Sequence, residues 1–158
     1  MLTDQVIDGQ RFAAYGNCVI NTWSSAVRSQ HLAAFDETAG KVAQRHPDGI
    51  VFFVIVEQGS PLLDAEQRKE IEAVYARWAP SMRAAAQVVE GGNLWSVTMR
   101  SLMTAIRLVQ RRPYPTRVFT EVNEGAAWVA PYVIGPANDN GKDVMAGLVA
   151  GIAQLRSA

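Results

Sequence analysis

Cysteine is almost absent from this chain. Cys18 is the only one in 158 residues, so no internal disulfide forms, no thiolate metal cluster is built, and nothing requires an oxidising compartment. An excess of charge is missing too. Fifteen basic residues stand against fifteen acidic ones, with a pI near 6.7, which leaves no long-range field to gather nucleic acid or an anionic membrane. The longest unbroken apolar run, Ile50 to Val56, falls well short of the ~20 residues that cross a bilayer as a helix. The opening MLTDQVIDGQ lacks the cationic start and apolar stretch of a secretory leader, and a cytoplasmic protein is expected. The common catalytic and cofactor signatures are absent as well: the phosphate-binding G-x-x-x-x-G-K-[ST] and G-x-G-x-x-G turns, the metal-binding H-E-x-x-H pair and the G-x-S-x-G nucleophile elbow. A non-enzymatic protein without a cofactor is expected.

What is present is enough apolar material, 49% of the residues, to fill the core of one domain. Gln10 to Tyr15 and Cys18 to Trp23 are aromatic and β-branched segments separated by Gly16-Asn17, a pair that favours positive φ and closes a tight hairpin. Leu32, Phe35, Ala39 and Val42 recur at three- and four-residue steps, predicting a helix that stops before Pro47. Ile50 to Val56, IVFFVIV, is apolar throughout, as in a central strand covered on both faces. A second helical stripe runs through Ile71, Val74, Tyr75 and Trp78, with Asp64 and Gln67 as a capping-box-like start and Pro80 as its end. MRAAAQVV, 82 to 89, reads as another buried strand, its alanines allowing close approach of a helix. Gly91-Gly92 then breaks the chain before Asn93 caps a helix reaching to Arg112 along Trp95, Met99, Leu102, Ile106 and Val109. Arg117 to Val122 is a last strand, and Asn123 is expected to cap a short helix carrying Ala127 and Trp128.

Strands alternating with helices imply parallel pairing and right-handed crossovers, with the hairpin as an antiparallel edge. The expected fold is therefore an α/β domain over residues 1–134, a mixed, mostly parallel sheet with helices on its faces. GPANDNG, 135 to 141, is a flexible spacer to a C-terminal helix lined by Val144, Leu148, Ile152 and Leu155. That helix either folds back on its own domain or buries its apolar side against a second copy, so a homodimer stays open.

The polar residues offer few sites. His31 and His46 flank one helix without a Cys partner and read as ordinary surface histidines; Cys18, in a strand, reads as a packed thiol. Glu66, Glu70 and Glu72 lie on the polar side of the second helix beside Arg68 and Lys69. Arg100, Arg107 and Arg111 share one side of the third helix, either as a docking stripe for an anionic partner or as a solvated face complementing the helix dipole. Trp23, Trp78, Trp95 and Trp128 each fall within a periodic element and read as core or seam packing. An apolar pocket bordered by some of these rings would suit a small hydrophobic ligand.

The hairpin followed by alternating helices and strands, and RVFTEVNEGAAWVAPYV (117 to 133) in particular, resembles STAS domains of the SpoIIAA-like group over about Gln10 to Val133. In that group a last strand ends in a short polar turn, and an Ala-Ala-Trp or similar step opens the closing helix. In its anti-sigma-factor antagonists a serine after the central strand is phosphorylated by a partner kinase, within a pattern close to Asp-x-Ser-x-Gly. The matching turn here is Glu57-Gln58-Gly59-Ser60-Pro61, which has the serine but lacks the Asp and the following Gly. The resemblance implies a regulatory protein-interaction module of bacterial type, with Gly59 and Ser60 as the candidate contact or phosphoswitch. From the residues alone, Ser60 either lies a turn ahead of an Asp64 cap or caps the helix itself with Pro61 at the first helical position. The competing function is a carrier of a small hydrophobic ligand.

Overall fold

A computed structural model describes residues 2–110, 112–136 and 143–157. The chain order is β1 (Leu2–Ile7), β2 (Gln10–Tyr15), β3 (Cys18–Trp23), α1 (Ser29–Arg45), β4 (Ile50–Val56), α2 (Ala65–Trp78), β5 (Met82–Val89), α3 (Leu94–Gln110), β6 (Thr116–Phe119), α4 (Val122–Val129) and α5 (Val144–Ser157), with 3-10 turns at Ala79–Ser81 and Ala130–Tyr132. The six strands form one sheet in sequence order. β1, β2 and β3 pair antiparallel, and β3 through β6 pair parallel. This is the mixed α/β sheet expected, with one strand more than the sequence reading gave. The sheet opens with a three-stranded meander, because Asp8-Gly9 turns β1 onto β2 with both residues at positive φ (40° and 79°), the backbone of a type I′ turn. At the next turn only Gly16 takes positive φ (54°), as in a type II′ turn, and Asn17 does not.

Each strand sends alternate side chains to opposite faces, and each face has its own core. On one face Val19, Phe52, Val54 and Ala85 meet Phe35 and Ala39 of α1, Ile71 and Val74 of α2, and Met99 and Met103 of α3. Phe52 lies edge-on to both Phe35 (centroids 4.7 Å apart) and Tyr75 (5.4 Å), contacts worth about 0.5–1.5 kcal/mol each beyond their buried area. On the other face Ile20, Val51, Phe53, Ile55 and Ala86 meet Ala126 and Val129 of α4 and Leu148, Ile152 and Leu155 of α5. β4 supplies both cores, so all seven of its residues are buried. The apolar side of α5 is thus covered within its own chain. Of the spacer, residues 137–141 lie outside the described residues.

The small residues of β5 and α4 set the spacing of this second layer. A Cβ added at Gly125 would stand 3.0 Å from Val88 and 3.2 Å from Phe53, so α4 sits close over the sheet. β6 is shorter than expected: its pairing with β5 ends at Val88↔Phe119. Val122 already turns into α4 and packs partly buried against the second core, which makes Glu121, not Asn123, the N-cap.

Candidate functional site

The carboxyl ends of β3, β4 and β5 and the connections that follow them gather the residues singled out above. β4 ends in the turn from Glu57 to Pro61. Glu57 N–H donates to Trp23 O (2.9 Å) and Ser60 N–H to Glu57 O (3.2 Å), which folds the turn back onto the end of β3. The Ser60 hydroxyl points inward, 2% exposed, and donates to Glu57 O (2.8 Å) and Trp23 O (3.1 Å). Ser60 does not cap α2. Asp64 Oδ1 accepts from Gln67 N–H (2.7 Å) while Gln67 Oε1 accepts from Asp64 N–H (2.9 Å), a complete capping box. Gln67 Nε2 also reaches Val27 O (2.9 Å), fixing the start of α2 to the β3–α1 connection. Gly59, at φ +87°, is on the rim, and a Cβ added there meets open space.

β5 ends beside this turn, since a Cβ on Gly91 would lie 3.1 Å from the Gln58 side chain. Asn93 caps α3 by accepting from Ser96 N–H (3.0 Å). Leu94 then stands 81% exposed, Val97 three residues on 48% exposed, and Leu62 in the β4–α2 connection 48% exposed. Beneath the rim, Arg156 of α5 donates to both oxygens of Glu90 (2.6 and 2.9 Å) and lies 3.4 Å from Glu57. The Glu90 contact raises the Arg156 pKa further, and the guanidinium holds together two carboxylates that adjacent parallel strands place side by side.

Two arginines of the α3 stripe contact backbone carbonyls. Arg100 donates to Val89 O (3.1 Å) and Gly91 O (2.9 Å), and Arg107 to Thr116 O (2.8 Å). Both guanidinia therefore tie the helix to backbone carbonyls where β5 ends and β6 begins. Arg111 lies outside the described residues.

His31 is a correction to the sequence reading, being 1% exposed rather than at the surface. As the third residue of α1, its Nδ1 accepts from Arg28 N–H (3.0 Å) and lies 3.2 Å from Gln10 Nε2. Accepting at Nδ1 places the proton of the neutral ring on Nε2, which is buried with no hydrogen-bond partner among the described residues. Burial lowers its pKa, opposed by backbone carbonyls at Ile7 and Ala26 and by Asp8. Cys18 is buried and unpaired, and burial pushes its thiol well above the ordinary range. Trp23 belongs to the first core and Trp78 and Trp95 pack against it, while Trp128 packs against the second.

Polar groups also enter the three-helix face. The register places Asn21, Val54 and Gln87 in one row across the sheet. The Trp23 indole N–H donates to Asn21 Oδ1, and Gln87 Nε2 lies 3.2 Å from the Tyr75 hydroxyl. The two voids bordering Val54 and Trp23 are about 20 Å³ each, room for one water and for no ligand. The larger space is a groove of about 470 Å³ on the outer side of α2, lined from two separate stretches, residues 69–79 and 112–114, which the sequence reading missed because they are remote in the chain. No helix among the described residues is long and apolar enough to cross a membrane. Comparison with protein-family models, with curated proteins and with solved structures finds nothing that matches.

Proposed function

We propose that this chain is a non-catalytic, STAS-like protein-interaction module of bacterial regulatory type, whose contact surface is the rim at the carboxyl ends of β4 and β5. The observation that supports it is the grouping of Leu62, Leu94 and Val97. These large apolar side chains are exposed, Leu62 in the β4–α2 connection and Leu94 and Val97 in the first turn of α3, and the two segments meet where a Cβ on Gly91 would lie 3.1 Å from Gln58. Leu94 and Val97 share one side of α3, and the Arg156 clamp with the inward Ser60 bonds holds the base of the rim rigid. A rigid apolar patch with polar borders matches what a protein partner buries at the centre of an interface.

In this reading Gly59 contributes surface and Ser60 holds the turn. Site-specific photo-cross-linking in cells tests it, with a benzophenone side chain at Leu94 and, as control, at exposed Lys41 on α1. A defined heteromeric adduct from position 94 that is absent from position 41 and lost on Leu62→Asp is the expected result. Equal labelling from both positions, or no adduct from either, would refute the assignment of the rim.

A further inference from the structure

The rim accounts for Leu94 and Val97 but not for the rest of the outer side of α3. Leu108 is 68% exposed and lies on the same side of the helix as Leu94, about 21 Å further along its axis. Between them the outward positions are Val97, Thr98, Ser101 and Ala105, all exposed, with Thr104 half-buried. Leu94, Val97, Ser101, Thr104 and Leu108 follow alternating three- and four-residue steps, the spacing of a helix that packs lengthwise on a second helix. No charged side chain falls on this strip. Arg100 and Arg107 lie to one flank of it and are engaged with backbone carbonyls, and the Thr98 hydroxyl is already satisfied by Leu94 O (2.9 Å). Such a strip can be dried without stranding a charge.

The order of its side chains says what covers it. About Ser101 the strip is nearly palindromic: Leu94 and Leu108 stand seven residues to either side, Val97 and Ala105 four, and Thr98 and Thr104 three. A two-fold axis through Ser101 therefore sets Leu94 of one copy on Leu108 of the next, Val97 on Ala105 and Thr98 on Thr104, with the small Ser101 where the two backbones approach most closely. An isologous contact requires this correspondence, and a contact with a different protein does not.

We propose that the outer side of α3 is the contact between two copies of this chain, paired antiparallel about Ser101. The contact buries Leu94 and Val97 and so covers part of the rim, which makes self-association and a partner on the rim mutually exclusive. Dimer formation itself does not rest on the rim reading. One helix pair is at the small end of specific interfaces, and a Kd on the order of 10–100 μM is expected.

The test is sedimentation of the purified protein alone, in a dilution series spanning that Kd, so that no other protein enters the result. A concentration-dependent dimer is expected. Ser101→Arg keeps an exposed position helical but sets two like charges against each other at the axis, and should weaken the dimer by about tenfold or more. Cross-linking then reads the geometry. Ser101→Cys should join the two copies under mild oxidation, because the facing Cα atoms of helices packed ~8–10 Å apart lie within disulfide reach. Ala105→Cys should not, since its two copies lie about 12 Å apart along the axis; the native Cys18 is buried and does not compete. A monomer throughout the series, a dimer unchanged by Ser101→Arg, or a disulfide formed as fast by Ala105→Cys as by Ser101→Cys would each overturn the proposal.

Discussion

Replacing Asn17 with Ala should be among the most damaging single changes in this protein, although the residue touches neither proposed site. Asn17 is 0% exposed, and its side chain joins three distant pieces of chain. Nδ2 donates to Gly49 O (2.9 Å) and to Tyr132 O (3.3 Å), and Oδ1 accepts from Ile134 N–H (2.7 Å). The backbone adds Asn17 N–H to Ile134 O (3.1 Å) and Val51 N–H to Asn17 O (2.9 Å). Residue 134 passes so close over the turn that a Cβ on Gly16 would lie 1.8 Å from Ile134 O. Each net hydrogen bond contributes about 1 kcal/mol, and a buried partner left unpaired costs more. Asn17→Ala is therefore expected to lose about 3 kcal/mol, a fall in Tm of roughly 6–12 °C for a domain of this size. Urea unfolding would register it as a lower midpoint at unchanged m-value. Asn17→Asp keeps the acceptor for Ile134 but turns a buried carboxylate towards two carbonyls, and should cost at least as much at neutral pH. A loss below about 1 kcal/mol for Ala, or wild-type stability for Asp, would show that the bridge is not what holds this end of the sheet.

Two further outcomes follow from the same geometry. Ser60→Ala removes an inward hydroxyl whose carbonyl acceptors keep other donors, so it should cost about 1 kcal/mol and leave cross-linking from Leu94 intact. Loss of the adduct in a variant of that near-native stability would reinstate Ser60 as part of the contact itself. His31 is neutral in the fold with its pKa held down by burial, whereas the unfolded chain takes up the proton near pH 6.5. The contribution of the neutral ring is thus fully present above about pH 6.5 and is lost as pH falls below that towards the folded value, by up to about 1.4 kcal/mol per pH unit. Stability measured at pH 7.5 and 5.5 should fall more steeply for wild type than for His31→Gln, and parallel slopes would contradict this.

The elements legible in the sequence are those whose cause is local. IVFFVIV had to be covered on both faces, and the Phe35, Ala39, Val42 and the Ile71, Val74, Tyr75 stripes had to face a core. The first strand is equally legible, because Asp8-Gly9 is a hairpin signal in its own right. What could not be read is pairing between remote residues. His31 looks like a surface residue until Gln10 stands opposite it, and Arg100 and Arg107 look like a charged face until the carbonyls of Val89, Gly91 and Thr116 lie within reach. Likewise Tyr75 is a core position by periodicity, and only the return of the chain at Arg112 makes it one wall of a groove.

The two faces of the sheet are built for different tasks. On the α4 and α5 side an apolar core closes around Gly125, where a Cβ would stand 3.0 Å from Val88 and 3.2 Å from Phe53. On the α1–α3 side Gln10, Asn21, His31 and Gln87 break into the core, and α2 spans the interval between Asn21 and Gln87 over small voids rather than a close fit. Buried polar groups fix orientation at a cost in stability, so their concentration under one helix marks α2 as the element whose position matters. Its first turn adjoins the Ser60 rim and its last two turns floor the groove.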